Sequence, residues 1–205
     1  MALASASDAY DYLPGLASGE DAKVNKVIAR VESAIAAYLG FRPAAAAGDV
    51  TLDSTSYTLY SRDGWLHVSA ENGRKLILPY APCTSVTTLH DDSLWAYGAS
   101  TLVASSDYTL EGDLGHIWLD PDASHAWTAA PRNIKAVVVC GWSTAPDSLL
   151  EAICRHTART WEAWKTAGSL NIVAGPSSKT LRLPKFDEDV LELLGPYRQP
   201  AFWLS

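Results

Sequence analysis

Sulfur is scarce in this chain, whose 205 residues include one methionine and three cysteines. Cys83, Cys140 and Cys154 are odd in number and widely spaced, which argues against a disulfide framework and gives no zinc spacing. Reduced thiols and synthesis inside a cell are expected. Long apolar runs are missing too, so no segment is expected to span a membrane. The first residues have neither a basic region nor a long apolar stretch, and no signal peptide is expected. Charge is low at 19% and leans acidic, for a formal net charge of -7. That disfavours non-specific binding of nucleic acid by the outer surface and suits a surface that nucleic acid must pass without sticking. There is no nucleophile elbow, phosphate loop, dinucleotide fingerprint or internal repeat.

Tryptophan, by contrast, is abundant, with eight copies. Two of them lie in residues 144–168, the most strongly patterned stretch. Leu150, Ile153, Cys154, Thr157, Trp161 and Trp164 recur at three- and four-residue steps, so they share one face of a helix. Glu151, Arg155, Arg159, Glu162 and Lys165 fall elsewhere, and Glu151 with Arg155 has i,i+4 order. Thr144 and Asp147 have capping-box spacing, and Gly168 is the expected stop. A second helix is expected between Ser18 and Gly40. Val24, Val27, Ile28, Val31, Ile35, Tyr38 and Leu39 form its apolar stripe, and Lys23, Lys26, Arg30 and Glu32 its polar face. The two stripes are natural partners.

Between these helices the period changes from helical to alternating. Asp63-Gly64 suggests a hairpin joining 55–59 to 65–69. Further short strands are expected at 75–78, 85–89, 101–104, 108–110, 116–119 and 134–140, the last being the most apolar and the natural centre. The expected division is therefore an N-terminal segment with the first helix (1–49), a β-rich insert (50–142), and a long helix, loop, short helix and tail (143–205). The fold class follows as α+β. Its expected core is two long helices of antiparallel type plus a short C-terminal helix, with the β-rich insertion between the long pair. Residues 1–17 read as an irregular lead-in. The tail carries Phe202, Trp203 and Leu204, unusual for a chain end, where residues are commonly polar. It either folds back on its own long helix or docks on another molecule.

Candidate chemistry is thin. His116, Asp120 and His125 could form a hydrolytic or metal site, although a polar turn between strands is the much better reading of them. His156 does not complete a metal-binding helix with Glu151. Cys140 and Cys154 read as small core residues. Trp65, Trp95, Trp118 and Trp127 could stack on sugar rings in a carbohydrate-binding module. No catalytic, cofactor or metal residue is assigned.

The order of segments resembles the head–tail connector (adaptor) proteins of long-tailed bacteriophages and phage-like gene transfer agents. The resemblance rests on Ala-Ile-Ala-Ala-Tyr-Leu-Gly-Phe (34–41), Leu-Ile-Leu-Pro-Tyr-Ala-Pro-Cys-Thr-Ser-Val-Thr-Thr-Leu (76–89) and Ser-Asp-Tyr-Thr-Leu (106–110). Ala-Val-Val-Val-Cys-Gly-Trp (136–142), Pro-Asp-Ser-Leu-Leu-Glu-Ala-Ile (146–153) and Leu-Leu-Gly-Pro-Tyr-Arg-Gln-Pro (193–200) complete it. It implies a non-enzymatic virion protein at the head–tail interface, made in the host bacterial cytoplasm. Such a protein forms a ring, twelvefold in these families, beneath the portal protein, with DNA only passing through and a tail or stopper protein as the next partner. No cofactor or membrane is implied. By this analogy the portal-docking segment is Tyr197, Arg198, Gln199, Pro200, Phe202, Trp203 and Leu204. The residues expected to pack the helices together are Leu150, Ile153, Trp161, Trp164, Val27, Val31 and Ile35.

Overall fold

The computed structural model describes residues 3–14, 19–41, 52–61, 67–68, 73–123, 126–128, 130–170 and 185–198, with 129 omitted and the side chains of 67–68 and 166–170 left aside. Two compact units divide the chain. One takes Met1–Leu39 and Thr144–Arg198, and the other takes Gly40–Ser143.

Among the described residues the first unit holds four α-helices: α1 (Ala6–Ala9), α2 (Asp21–Leu39), α3 (Asp147–Leu170) and α4 (Glu188–Leu194). Helix α3 starts where Pro146 offers its carbonyl to the Leu150 N–H at 2.9 Å, and it runs two residues past the expected glycine stop. Helix α2 packs on α3, α1 lies against both, and α4 packs on α3. Val27, Val31, Ile35, Ile153 and Trp161 are buried. Each such apolar side chain removed from water stabilises by roughly 1.5–3 kcal/mol.

The structure is α+β, but the expected core of two long antiparallel helices is corrected. The helices number four among the described residues, and the faces of the long pair are shared with short partners. Ala6 and Ala9 of α1, and Val190 and Leu194 of α4, are buried. Periodicity shows that a face is covered but not by what. The lead-in is also corrected, because Ser5 and Asp8 cap α1, with the Ser5 N–H donating to Asp8 Oδ2 at 2.8 Å. Glu32, expected on the polar face, is buried and accepts the Ala4 N–H at 2.9 Å. Asn25 accepts the Ala6 N–H at 2.9 Å. Side chains of α2 thus hold the start of the chain.

Among the described residues the second unit holds seven strands: β1 (Thr55–Tyr60), β2 (His67–Val68), β3 (Lys75–Ile77), β4 (Cys83–Asp91), β5 (Tyr108–Glu111), β6 (His116–Leu119) and β7 (Ile134–Cys140). They form a three-stranded sheet, β1-β7-β4, and a four-stranded sheet, β2-β3-β6-β5, all pairs antiparallel. Strand β7 is central in the smaller sheet and buries Ile134, Ala136, Val138 and Cys140, alternate residues along it. Asp63-Gly64 lies outside the described residues, and among those described the expected local hairpin is corrected. Strand β1 pairs with β7 and β2 with β3, so the two halves of that hairpin belong to different sheets. Residues 101–104 contribute a 3₁₀ turn and a single bridge from Leu102 to His90 instead of a strand.

The cysteine expectation is corrected as well. Cys83 and Cys140 face each other across β4 and β7 and form a disulfide, leaving buried Cys154 free. They are 57 positions apart, so no local spacing announces the pair. Gly141 follows at φ +104, where a Cβ would come within 2.6 Å of the Asp53 carbonyl. Glycine there lets the backbone pass close by and accept the left-handed conformation.

Candidate functional site

Helix α4 and the residues after it form the best-defined polar assembly of the first unit. Asp187, Glu188 and Asp189 stand at the N-terminal end of α4, where the helix dipole favours acids. Arg155 and Arg159 lie one turn apart on α3 and reach across to them. Asp189 Oδ2 receives Arg155 Nη1 at 3.0 Å and Arg159 Nη2 at 2.9 Å. Arg159 Nε is 3.0 Å from Asp187 Oδ2. Arg155 also pairs with Glu151, one turn earlier on its own helix. The Arg159 guanidinium, helped by Arg155, pulls the Asp189 carboxyl down to about 2. Both arginines are in turn held above their ordinary value, chiefly by Asp189. This is an electrostatic clasp in which Asp189, Arg155 and Arg159 hold one another in the charged form.

The residues directly after α4 are held against the unit as well. Tyr197 Oη shares a hydrogen bond of 2.5 Å with Ser148 Oγ, near the start of α3. The Arg198 guanidinium stands 5.4 Å from the centroid of the Tyr38 ring on α2. Tyr38 contacts Phe186 at 5.3 Å between centroids, and Phe186 contacts His156 at 4.6 Å. His156 is buried, and among the described residues neither ring nitrogen has a hydrogen-bond partner. Burial, then the Arg159 charge, push its pKa down, so the ring is held neutral. Gln199, Pro200, Phe202, Trp203 and Leu204 lie outside the described residues.

Of the residues expected to pack the helices, Leu150 is only half-buried and Leu149 takes the fully buried position. Trp164, expected in the core, is 43% exposed and rests edge-on against Trp161 at 5.2 Å. Glu162 to Lys165 are all exposed, so the helix there extends past its cover while the apolar period continues.

The other candidates do not assemble. His116 Nδ1 lies 3.4 Å from Glu111 Oε2, and burial with the Lys75 charge pushes its pKa down. Asp120 accepts from Thr109 at 3.2 Å, and His125 lies outside the described residues. No group of three potential metal ligands occurs among the described residues. Burial pushes the Cys154 thiol up to about 11, which makes it a poor nucleophile. Trp118 bonds Glu111 and carries Lys75 over its ring, Trp127 is buried, and Trp65 lies outside the described residues.

Trp95 is different. It sits with Leu94 in the β4–β5 connection, 55% and 84% exposed respectively. The Asp92 carboxylate accepts the Leu94 N–H at 2.8 Å and the Tyr97 N–H at 2.7 Å, and these bonds hold its pKa low. Tyr97 Oη donates to the Arg132 carbonyl at 2.6 Å. Trp95, Tyr97 and Arg132 all have left-handed φ, at 60°, 49° and 61°. Such conformations in non-glycine residues cost about 1–3 kcal/mol each and persist only where surroundings hold them.

No family model matches the chain, and no curated protein matches it. Solved structures do share its fold. A chain from the neck of an empty gene transfer agent (GTA) particle computed with C6 symmetry has TM-score 0.57 and 20% identity, covering 97% of this chain and 90% of that one. A chain from the neck of the native particle computed with C12 symmetry has TM-score 0.51 and 18% identity, covering 95% and 87%. A chain from the virion of the native gene transfer agent particle has TM-score 0.55 and 18% identity, covering 97% and 90%. The likeness is one of fold, along nearly the whole length of both chains.

Sequence reasoning singled out Trp95 as a possible sugar-stacking residue but missed its exposed neighbour Leu94. The available signal was Asp91-Asp92 directly before two large apolar residues, a turn-capping acid beside side chains that a surface turn has no need of.

Proposed function

We propose that this protein is a virion structural component, a head–tail connector (adaptor). It assembles as a ring, twelvefold by the resemblance, below the portal protein. There it extends the DNA channel and offers a platform for a tail or stopper protein, at the head–tail interface of the particle. It carries out no reaction and needs no cofactor. The observation that carries this reading is the fold shared with neck chains of particles computed with C6 and C12 symmetry. The net charge of -7 suits a channel wall along which DNA slides. Among the described residues no helix is long and apolar enough to cross a membrane.

In this reading the Arg155–Arg159 clasp gives the C-terminal segment a fixed point of departure at Arg198. Phe202, Trp203 and Leu204 then supply apolar anchors for the portal, ordering on it as a peptide does in a groove. The test is removal of Gln199 to Ser205. The shortened protein is expected to keep its circular dichroism and melting temperature but to stop co-sedimenting with portal rings. Undiminished co-sedimentation would remove the tail from the portal contact.

A further inference from the structure

A ring needs two different surfaces on each subunit, because a head-to-tail contact repeats without pairing a patch with itself. The second unit carries two such surfaces at opposite ends of β4. One is the loop after Asp91, with Leu94 and Trp95 exposed. Two cations flank it: Arg132 lies 4.9 Å from the centroid of the Tyr60 ring, and Lys135 lies 5.1 Å from that of Tyr97. The neighbouring acids are already engaged, Asp92 with the loop's own N–H groups and Asp91 with the Thr128 N–H at 2.9 Å. The other surface is the β5–β6 turn. It shows exposed Glu111, Asp113 and Leu114, the last 57% exposed; Glu111 already accepts the Trp118 Nε1–H at 3.1 Å and lies beside His116 and Lys75, so Asp113 is the acid the turn presents outward. Gly112 places this turn directly against the Cys83 carbonyl, where a Cβ would come within 2.1 Å. The nine residues of β4 therefore part the two surfaces by roughly 30 Å at about 3.3 Å per residue.

We propose that the Leu94–Trp95 loop of one copy docks on the Glu111–Asp113–Leu114 turn of the next copy of this chain. The proposal rests on the ring reading above and names its subunit contact. Charge complementarity selects the occupant: cations beside an exposed tryptophan meet carboxylates beside an exposed leucine. The loop is also held in shape before contact, which lowers the entropy that association must overcome. Trp and Arg are the residue types that dominate binding at interface centres.

The experiment uses the full-length protein at high concentration, zero-length carbodiimide cross-linking, and mass spectrometry of the joined peptides. The wild type is expected to give a ladder, with Lys135 joined to Glu111 or Asp113 between copies. Leu94→Ser with Trp95→Ser, and separately Asp113→Lys with Leu114→Lys, should each lower cross-linking roughly ten-fold or more, as loss of a central anchor does. Mixed together, the two variants each keep one intact surface and should stop at a dimer. As a second arm, Lys135→Glu should lose the contact and regain it when mixed with Asp113→Lys. A wild-type ladder joined through other peptides, or unchanged in the variants, overturns this contact and leaves the ring reading standing. No wild-type ladder, alone or with portal present, overturns both.

Discussion

Arg159 on α3 holds Asp189 on α4 at 2.9 Å, and the same carboxylate oxygen takes Arg155 at 3.0 Å. This carboxylate, together with Asp187, ties the short helix α4 to the long helix α3. Its pairs are partly exposed, so their effect is expected in local opening more than in global stability. Asp189→Asn should raise hydrogen exchange in 188–198 while leaving the middle of α3 protected. Uniform exchange across wild type and variant would show that Val190, Leu194 and the Asp187–Arg159 pair hold α4 without Asp189.

Acid should loosen the helical unit in two steps. His156 has a folded pKa below its ordinary 6.5, so the unfolded chain takes up its proton first, and stability falls as pH drops through the region just below 6.5. Asp189 has a folded pKa of about 2 against an ordinary 3.8, so its contribution, present above 3.8, is lost as pH falls from there towards 2. Urea unfolding at stepped pH checks both. His156→Phe should remove the first step and Asp189→Asn the second.

Trp161→Ala should cost about 3–5 kcal/mol, because it empties a fully buried site. Trp164→Ala should cost less than about 1 kcal/mol in the isolated protein. Chemical denaturation of the two variants decides the matter, and similar losses would put Trp164 back into the core.

Glu32→Ala leaves the Ala4 N–H buried without its acceptor, at a cost of about 1–3 kcal/mol. Glu32→Gln keeps an acceptor and should lose less. Denaturation midpoints of the two variants give the comparison, and equal losses would locate the effect in the carboxylate charge.

How far these features could be read in advance depends on the distance to their partners. The alternation of Ile134, Ala136, Val138 and Cys140 is complete within one strand, and it was legible. So were the helical stripes through Val27, Val31, Ile35 and Ile153. Glu32 was not, because its partner is the backbone of Ala4, which no side-chain pattern records. Asp63-Gly64 suggested a local hairpin, yet Tyr57 and Leu59 reach the interior through pairing with β7, about 80 positions along the chain. Trp164 stays in phase with Trp161, but periodicity does not say where the cover over a helix ends. At the candidate site, Arg155 and Arg159 were visible as a charged face. Their partners on α4 came only from the fold.

The Cys83–Cys140 bridge makes a countable prediction. Under denaturing, non-reducing conditions the protein should show one reactive thiol, Cys154, and three after reduction. By the chain-entropy account, closing a loop of 57 positions stabilises by about 4 kcal/mol. Cys83→Ala with Cys140→Ala should lose up to that amount. Three reactive thiols before reduction would mean that the two cysteines only pack together.

The central claim is assembly into a ring at the neck of a particle. Cryo-electron microscopy of the full-length protein mixed with portal rings tests it most directly. The predicted result is added density on one face of the portal, with the rotational symmetry of a closed ring and a central channel wide enough for duplex DNA. Bare portal rings beside unbound protein, at concentrations well above those at which specific assemblies form, would contradict it.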